Sequence, residues 1–120
     1  MLPDVEVMVR DFLEGEVAAD VVTYVPTPRP STFVRVWRTG GTARNRVVDD
    51  AQVTVECWAG SKGAASDLSR EVRGLIHAAA TREALPALRR VHEVGGPYYD
   101  PDPESGADRY TFTAILRVRA

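Results

Sequence analysis

Only one cysteine, Cys57, occurs in the 120 residues, which excludes an internal disulfide and any multi-cysteine zinc site. No apolar run approaches the ~20 residues that a membrane span requires. The opening MLPDVEVMVRDFLEGE mixes acids among its apolar positions and has no basic start, so no signal peptide is expected. Signatures of catalysis are missing too: there is no Walker loop, no strand-linked GxGxxG, no HExxH and no CxxC. What remains is ordinary globular composition, 44% hydrophobic and 27% charged, at a length that suits one domain over residues 1–120.

Net charge is only −2, too small to point to nucleic acid or to a membrane surface, but the charges are unevenly spread. Residues 1–20 carry Asp4, Glu6, Asp11, Glu14, Glu16 and Asp20 against Arg10 alone. Residues 29–46 carry Arg29, Arg35, Arg38, Arg44 and Arg46 with no acid, and residues 100–108 carry Asp100, Asp102, Glu104 and Asp108 with no base. Segregated blocks on a nearly neutral chain suit docking or self-association; the alternative is a set of solvated faces. All the basic residues but Lys62 are arginine, the cation enriched in protein interfaces.

Periodicity supplies the elements. Val5, Met8, Val9, Phe12 and Leu13 form one helical stripe within Pro3–Gly15, with Pro3 expected in the first turn and Gly15 as the stop. Asp20–Val25 is a short β-branched run ended by Pro26, Pro28 and Pro30. Thr32–Thr39 alternates, Phe33, Arg35 and Trp37 against Val34, Val36 and Arg38, and Gly40-Gly41 is expected to close it. Ala51–Trp58 alternates more clearly, with Ala51, Val53, Val55 and Cys57 on one face. These two strands are expected to pair as a hairpin with a long, arginine-bearing tip near residues 40–48. Ser61, with Ser66 as an alternative cap, begins a second helix whose stripe is Ala65, Leu68, Val72, Leu75, Ile76 and Ala79. A turn over 81–87 leads to a strand Leu88–Val94, expected to end at Gly95-Gly96-Pro97. An acidic turn, Tyr98–Asp108, then feeds the last strand, Arg109–Arg119. The fold class is therefore α+β, in the order α-β-β-β-α-β-β, with two helices on one face of a largely antiparallel sheet.

No constellation carries chemistry. Gly60-Ser61-Lys62-Gly63 is too short for a phosphate loop and reads as a strand-to-helix turn capped by Ser61. Cys57 falls on an apolar strand face, and nothing near His77 or His92 marks either as a base, so no enzyme and no cofactor are expected. Asp100, Asp102 and Glu104 alternate with prolines that hold the chain extended, which spreads the carboxylates rather than wrapping them around a cation. The arginine-bearing tip has too few aromatics and no RNP-like motif, so docking to protein is expected over nucleic acid.

The succession PDVEVMVRDFL, VVTYVPTPRP, FVRVWRTGG, VVDDAQVTVECWAGSKGAASDLSREVRGLIHAA and PYYDPDPESGADRYTFTAILRVR resembles small tail-assembly proteins of long-tailed actinobacterial phages, similar to the lambda-type tail terminators. The resemblance runs over the whole chain in order and character and includes no catalytic signature. It implies a structural virion protein, made in the host cytoplasm, that rings the head-proximal end of the tail tube, typically as a hexamer. Such a ring stops tube growth and offers a surface to the head-completion protein of the neck. Its implied partners are other copies of itself, the major tail tube protein and the neck; its implied fold is a sheet with helices on one side. A head-closure or head–tail joining protein is the nearest alternative, and a cellular ligand-binding module a more distant one. A ring contact is heterologous and needs two different complementary patches. Arg35, Arg38, Arg44 and Arg46 are the basic candidates, to be met by the acidic first helix or by Asp100, Asp102 and Glu104 of a neighbour, unless the tip reaches the tube instead.

Overall fold

A computed structural model describes residues 1–82 and 84–120; within the turn expected over 81–87, Glu83 lies outside the described residues. The elements are α1 (Val5–Glu14), β1 (Asp20–Val22), β2 (Phe33–Ala43), β3 (Val48–Ala59), α2 (Lys62–Thr81), β4 (Leu88–Tyr99) and β5 (Asp108–Arg119). This is the expected order. The strands make one sheet, β1-β2-β3-β5-β4, antiparallel throughout except for the short β1, which runs parallel to β2.

Both helices lie on one face, α1 over β1 and β2, α2 over β3, β4 and β5. Strand alternation puts Val34, Val36, Ala51, Val53, Val55, Cys57, Phe112, Ala114, Leu116 and Val118 against Val5, Val9 and Leu13 of α1 and Val72, Ile76 and Ala79 of α2, all buried. Ser61 caps α2 by accepting the Ala64 N–H at 3.2 Å, which leaves Ser66 inside the helix. Asp4 caps α1, its carboxylate accepting the Val7 N–H at 3.2 Å. Pro3 therefore precedes the helix instead of sitting in its first turn: Asp4 supplies the side-chain acceptor that the free N–H groups need.

Four strand boundaries differ clearly from expectation, one of them the start of β3, which begins at Val48, three residues before Ala51. β1 stops at Val22, three residues short of Val25, once its pairing with Phe33–Arg35 runs out. β2 does not end at Gly40-Gly41 but runs to Ala43, passing a bulge between Arg38 and Gly40 with Gly40 at φ 140° and Gly41 at φ 92°. The hairpin consequently has long paired arms, and its tip is only residues 44–47. Asn45 closes the tip by accepting the Val47 and Val48 N–H groups, each at 2.9 Å. β4 likewise continues through Gly95-Gly96-Pro97 to Tyr99, with register shifts on either side of Gly95. It can do so because it is an edge strand, where a proline need not donate to a neighbour.

Cys57 is wholly buried on the helix-covered face. Burial, reinforced by the nearby Glu56 and Glu71 charges, pushes its thiol well above the ordinary range. In the native protein Cys57 should therefore not react with a disulfide reagent such as DTNB, and the full equivalent of thiol should titrate once guanidinium unfolds the chain. Rapid reaction of the folded protein would contradict this burial.

Candidate docking surface

The face of the sheet away from the helices carries no helix; at its β2-start end Phe33, Glu56, Trp58 and Thr111 are buried, whereas the end beside the hairpin tip is open to solvent. Alternation puts Phe33, Arg35, Trp37 and Thr39 of β2 there, with Asp50, Gln52, Thr54, Glu56 and Trp58 of β3 and the odd-numbered residues 109–119 of β5. Its centre is a hydroxyl row: Thr39 Oγ1 lies 2.9 Å from Thr54 Oγ1, which lies 3.2 Å from Thr113 Oγ1. The two ends of the face on either side of this row differ in charge balance.

At the end where β2 begins, Arg29, Arg35, Arg109, Glu56, Asp100 and Asp102 answer one another within the chain. Trp58 stacks on Phe33 with ring centroids 5.0 Å apart, and the Arg29 and Arg109 guanidinium groups lie 4.9 and 5.1 Å from its ring. Glu56, 5% exposed, holds Arg35 at 3.5 Å and Arg109 at 3.2 Å, and accepts the Trp58 indole N–H at 3.4 Å. Arg35 also covers Trp37 at 3.9 Å. Asp100 accepts from Arg109 at 3.2 Å and from Thr111 at 2.9 Å. Asp102 accepts the Ser105 N–H and hydroxyl and faces Arg29 at 3.6 Å. The Ser105 hydrogen bonds, with Arg109 in support, hold the Asp102 carboxyl below its ordinary range.

The linear blocks thus meet inside one molecule. Of the residues singled out in the sequence, Arg35, Asp100 and Asp102 belong to this internal network, together with Arg29. Arg38 is also committed: it grips buried Asp49 through both guanidinium nitrogens, at 2.6 and 3.0 Å, while its backbone N–H donates to Glu6 of α1 at 3.0 Å. Glu104 is exposed and, among the described residues, has no ion-pair partner. Nor is there, among the described residues, a group of three or more His, Cys, Asp or Glu side chains placed to hold a metal ion.

The opposite end of the face is unbalanced. Register brings Arg90 of β4 across from Arg117 of β5, which pairs with Asp50 of β3; Arg119 pairs with Val48, beside the tip that carries Arg44 and Arg46. Asp50 takes Arg117 at 2.8 Å and Arg44 at 3.4 Å, and the Arg117 hydrogen bonds, reinforced by Arg44, hold its carboxyl below the ordinary range. Among the described residues Arg46, Arg90 and Arg119, all exposed, have no ion-pair partner. Like charges opposed across a strand pair, as Arg90 and Arg117 are, destabilise a sheet unless something else answers them. Arg90, Arg117 and Arg119 did not stand out in the sequence, because only β-sheet register carries them to Arg44 and Arg46.

No protein-family model matches the chain, and no curated protein does. One further concave feature lies on the helix side: an open depression of about 350 Å³ lined by Arg70, Arg73, Gly74, His77 and Glu93. Its charges are turned inward, with Arg73 forked onto Glu93 and His77 at 3.6 Å from the same carboxylate. Arg73, with His77 adding to it, keeps the Glu93 carboxyl below its ordinary range. No helix among the described residues is long and apolar enough to cross a membrane.

Proposed function

We propose that this chain is a tail-terminator subunit, a structural protein that assembles as a ring on the head-proximal end of a phage tail tube. The ring ends tube polymerisation and docks the head-completion protein of the neck. Support comes from the whole-chain resemblance and from a layout, one sheet with both helices on the same side, that is the one the resemblance implies. The observation that carries the reading is the end of the helix-free sheet face beside the hairpin tip, where exposed arginines are unmatched among the described residues, as a subunit built to be covered by neighbours requires. Its partners on this reading are further copies of itself, the tube protein and the neck.

Tail length measured by electron microscopy tests it. Assembly lacking this chain should yield overlong tubes without heads, and adding the chain back should restore uniform tails. Uniform tails that fail to join heads would reassign the chain to the neck, and normal particles would remove it from tail assembly altogether.

A further inference from the structure

The unbalanced arginine end has a counterpart elsewhere on the same molecule. Asp11, Glu14 and Glu16 of α1 and the loop after it, with Asp20 at the start of β1, are all exposed, and Arg10 is the only base among them. Arg10 reaches Asp11 and Glu14, both at 2.6 Å, and leaves Glu16 and Asp20 unanswered among the described residues. α1 packs on the helix-covered face, whereas Arg44, Arg90, Arg117 and Arg119 stand on the open face. The α1 acids lie on the other side of the sheet from these arginines, and Asp20, level with Phe33 at the start of β2, lies at the far end of the sheet from them, so the two sets do not neutralise one another within one chain. The near-neutral total of −2 therefore conceals a basic pole and an acidic pole.

We propose that the arginine end of the open face seats the acidic α1 surface of a second copy, head to tail. Three observations favour this occupant. The poles are complementary in sign and both are exposed. A two-fold contact centred on either pole would set like charges together, and with α1 and the arginine end on opposite faces a two-fold contact does not join both poles at once, which leaves a heterologous contact as the one that neutralises both. In the acidic 100–107 loop, the other possible counterpart, Asp100 and Asp102 are already held by Arg109 and Arg29 of their own chain, which leaves Glu104 as its one unpaired carboxylate among the described residues. The proposal deepens the ring reading and rests on it, since a head-to-tail contact whose rotation closes is what makes a ring.

The test uses two charge-reversed full-length chains, Arg44→Glu/Arg46→Glu/Arg90→Glu and Glu14→Lys/Glu16→Lys/Asp20→Lys, with circular dichroism as a check on folding. Self-association is followed by sedimentation velocity and by cross-linking, in solution and on isolated tail tubes. Each variant alone should associate about a hundredfold more weakly than the native chain, and native association should weaken as salt shortens the Debye length from about 10 to about 3 Å. An equimolar mixture should associate again, because alternating variants restore opposite charge at every contact; this rescue separates a charge contact from misfolding.

Variants that associate as the native chain does would overturn the contact while leaving the ring reading to the tail-length experiment. A native chain that stays monomeric both in solution and on tubes would overturn the contact and the ring reading together. Loss of binding to a random-sequence DNA duplex, with self-association intact, would overturn the contact and give the arginines to nucleic acid. Native self-association that obeys the charge rule, with no effect on tail length, would keep the contact and remove the terminator role.

Discussion

Replacing Gly41 by alanine should lower the melting temperature by on the order of 10 °C, corresponding to about 3 kcal/mol in a chain of this size. Two independent causes act together. Gly41 has φ 92°, where an L side chain is strained. A Cβ there would also lie 2.0 Å from the Asp50 carbonyl oxygen, 2.6 Å from the Gln52 nitrogen and 2.9 Å from the Ala51 Cα. All three are backbone atoms of β3, so no side-chain rotation relieves the overlap, and the paired ladder itself must open. Gly74→Ala is the control. That glycine lies inside α2 with nothing within 4 Å of an added Cβ, and the change should stabilise the helix by about 1 kcal/mol. Thermal unfolding of the two variants should therefore move in opposite directions. Because Gly41 lies in the arm of the hairpin whose tip carries Arg44 and Arg46, Gly41→Ala should weaken self-association as well. Equal, small shifts in both variants would mean that β2 does not run through Gly41.

The same glycine shows where the sequence stopped being legible. A pair of glycines reads as the end of a strand, because nothing local distinguishes a turn from a bulge; the difference lies in Asp50, Ala51 and Gln52, which pass close enough to forbid a side chain. Helix α2 was readable because its signals are local: Ser61 as cap and an apolar stripe at helical spacing. The faces of β3 and β5 were readable for the same reason, since alternation needs no knowledge of partners. Charge was not. Arg29 and Asp102 lie 73 positions apart and Asp50 and Arg117 lie 67 apart, and only strand order brings each pair together. Blocks that look segregated along the chain are partly neutralised across it. The unmatched arginines gather from the β2–β3 tip, β4 and β5, a set that no window along the sequence contains.

Arg38→Ala should destabilise the protein by about 3 kcal/mol, and Asp49→Ala by clearly less. The asymmetry follows from what each deletion strands. The Asp49 side chain is 4% exposed and accepts from both Arg38 guanidinium nitrogens, whereas the Arg38 side chain is 35% exposed. Without Arg38, a buried carboxylate is left beside Val118, its partner across the strand pair, and Ala51, with neither a cation nor adequate water. Without Asp49, the freed guanidinium can swing into solvent and rehydrate. The double variant should be more stable than Arg38→Ala alone, since removing both partners removes the stranded charge; denaturant unfolding of the four proteins gives the coupling directly. A backbone consequence adds to this. The Arg38 N–H that donates to Glu6 at 3.0 Å closes part of the β2 edge left open where β1 ends at Val22, and it ties α1 to the sheet. If Arg38 moves once its side chain has lost Asp49, the α1 attachment loosens with it, so amide exchange in Val5–Glu14 should quicken in Arg38→Ala but not in Asp49→Ala. Equal destabilisation by the two single changes would show instead that Asp49 finds water when Arg38 is gone, and that the pair contributes to stability only as an exposed ion pair does.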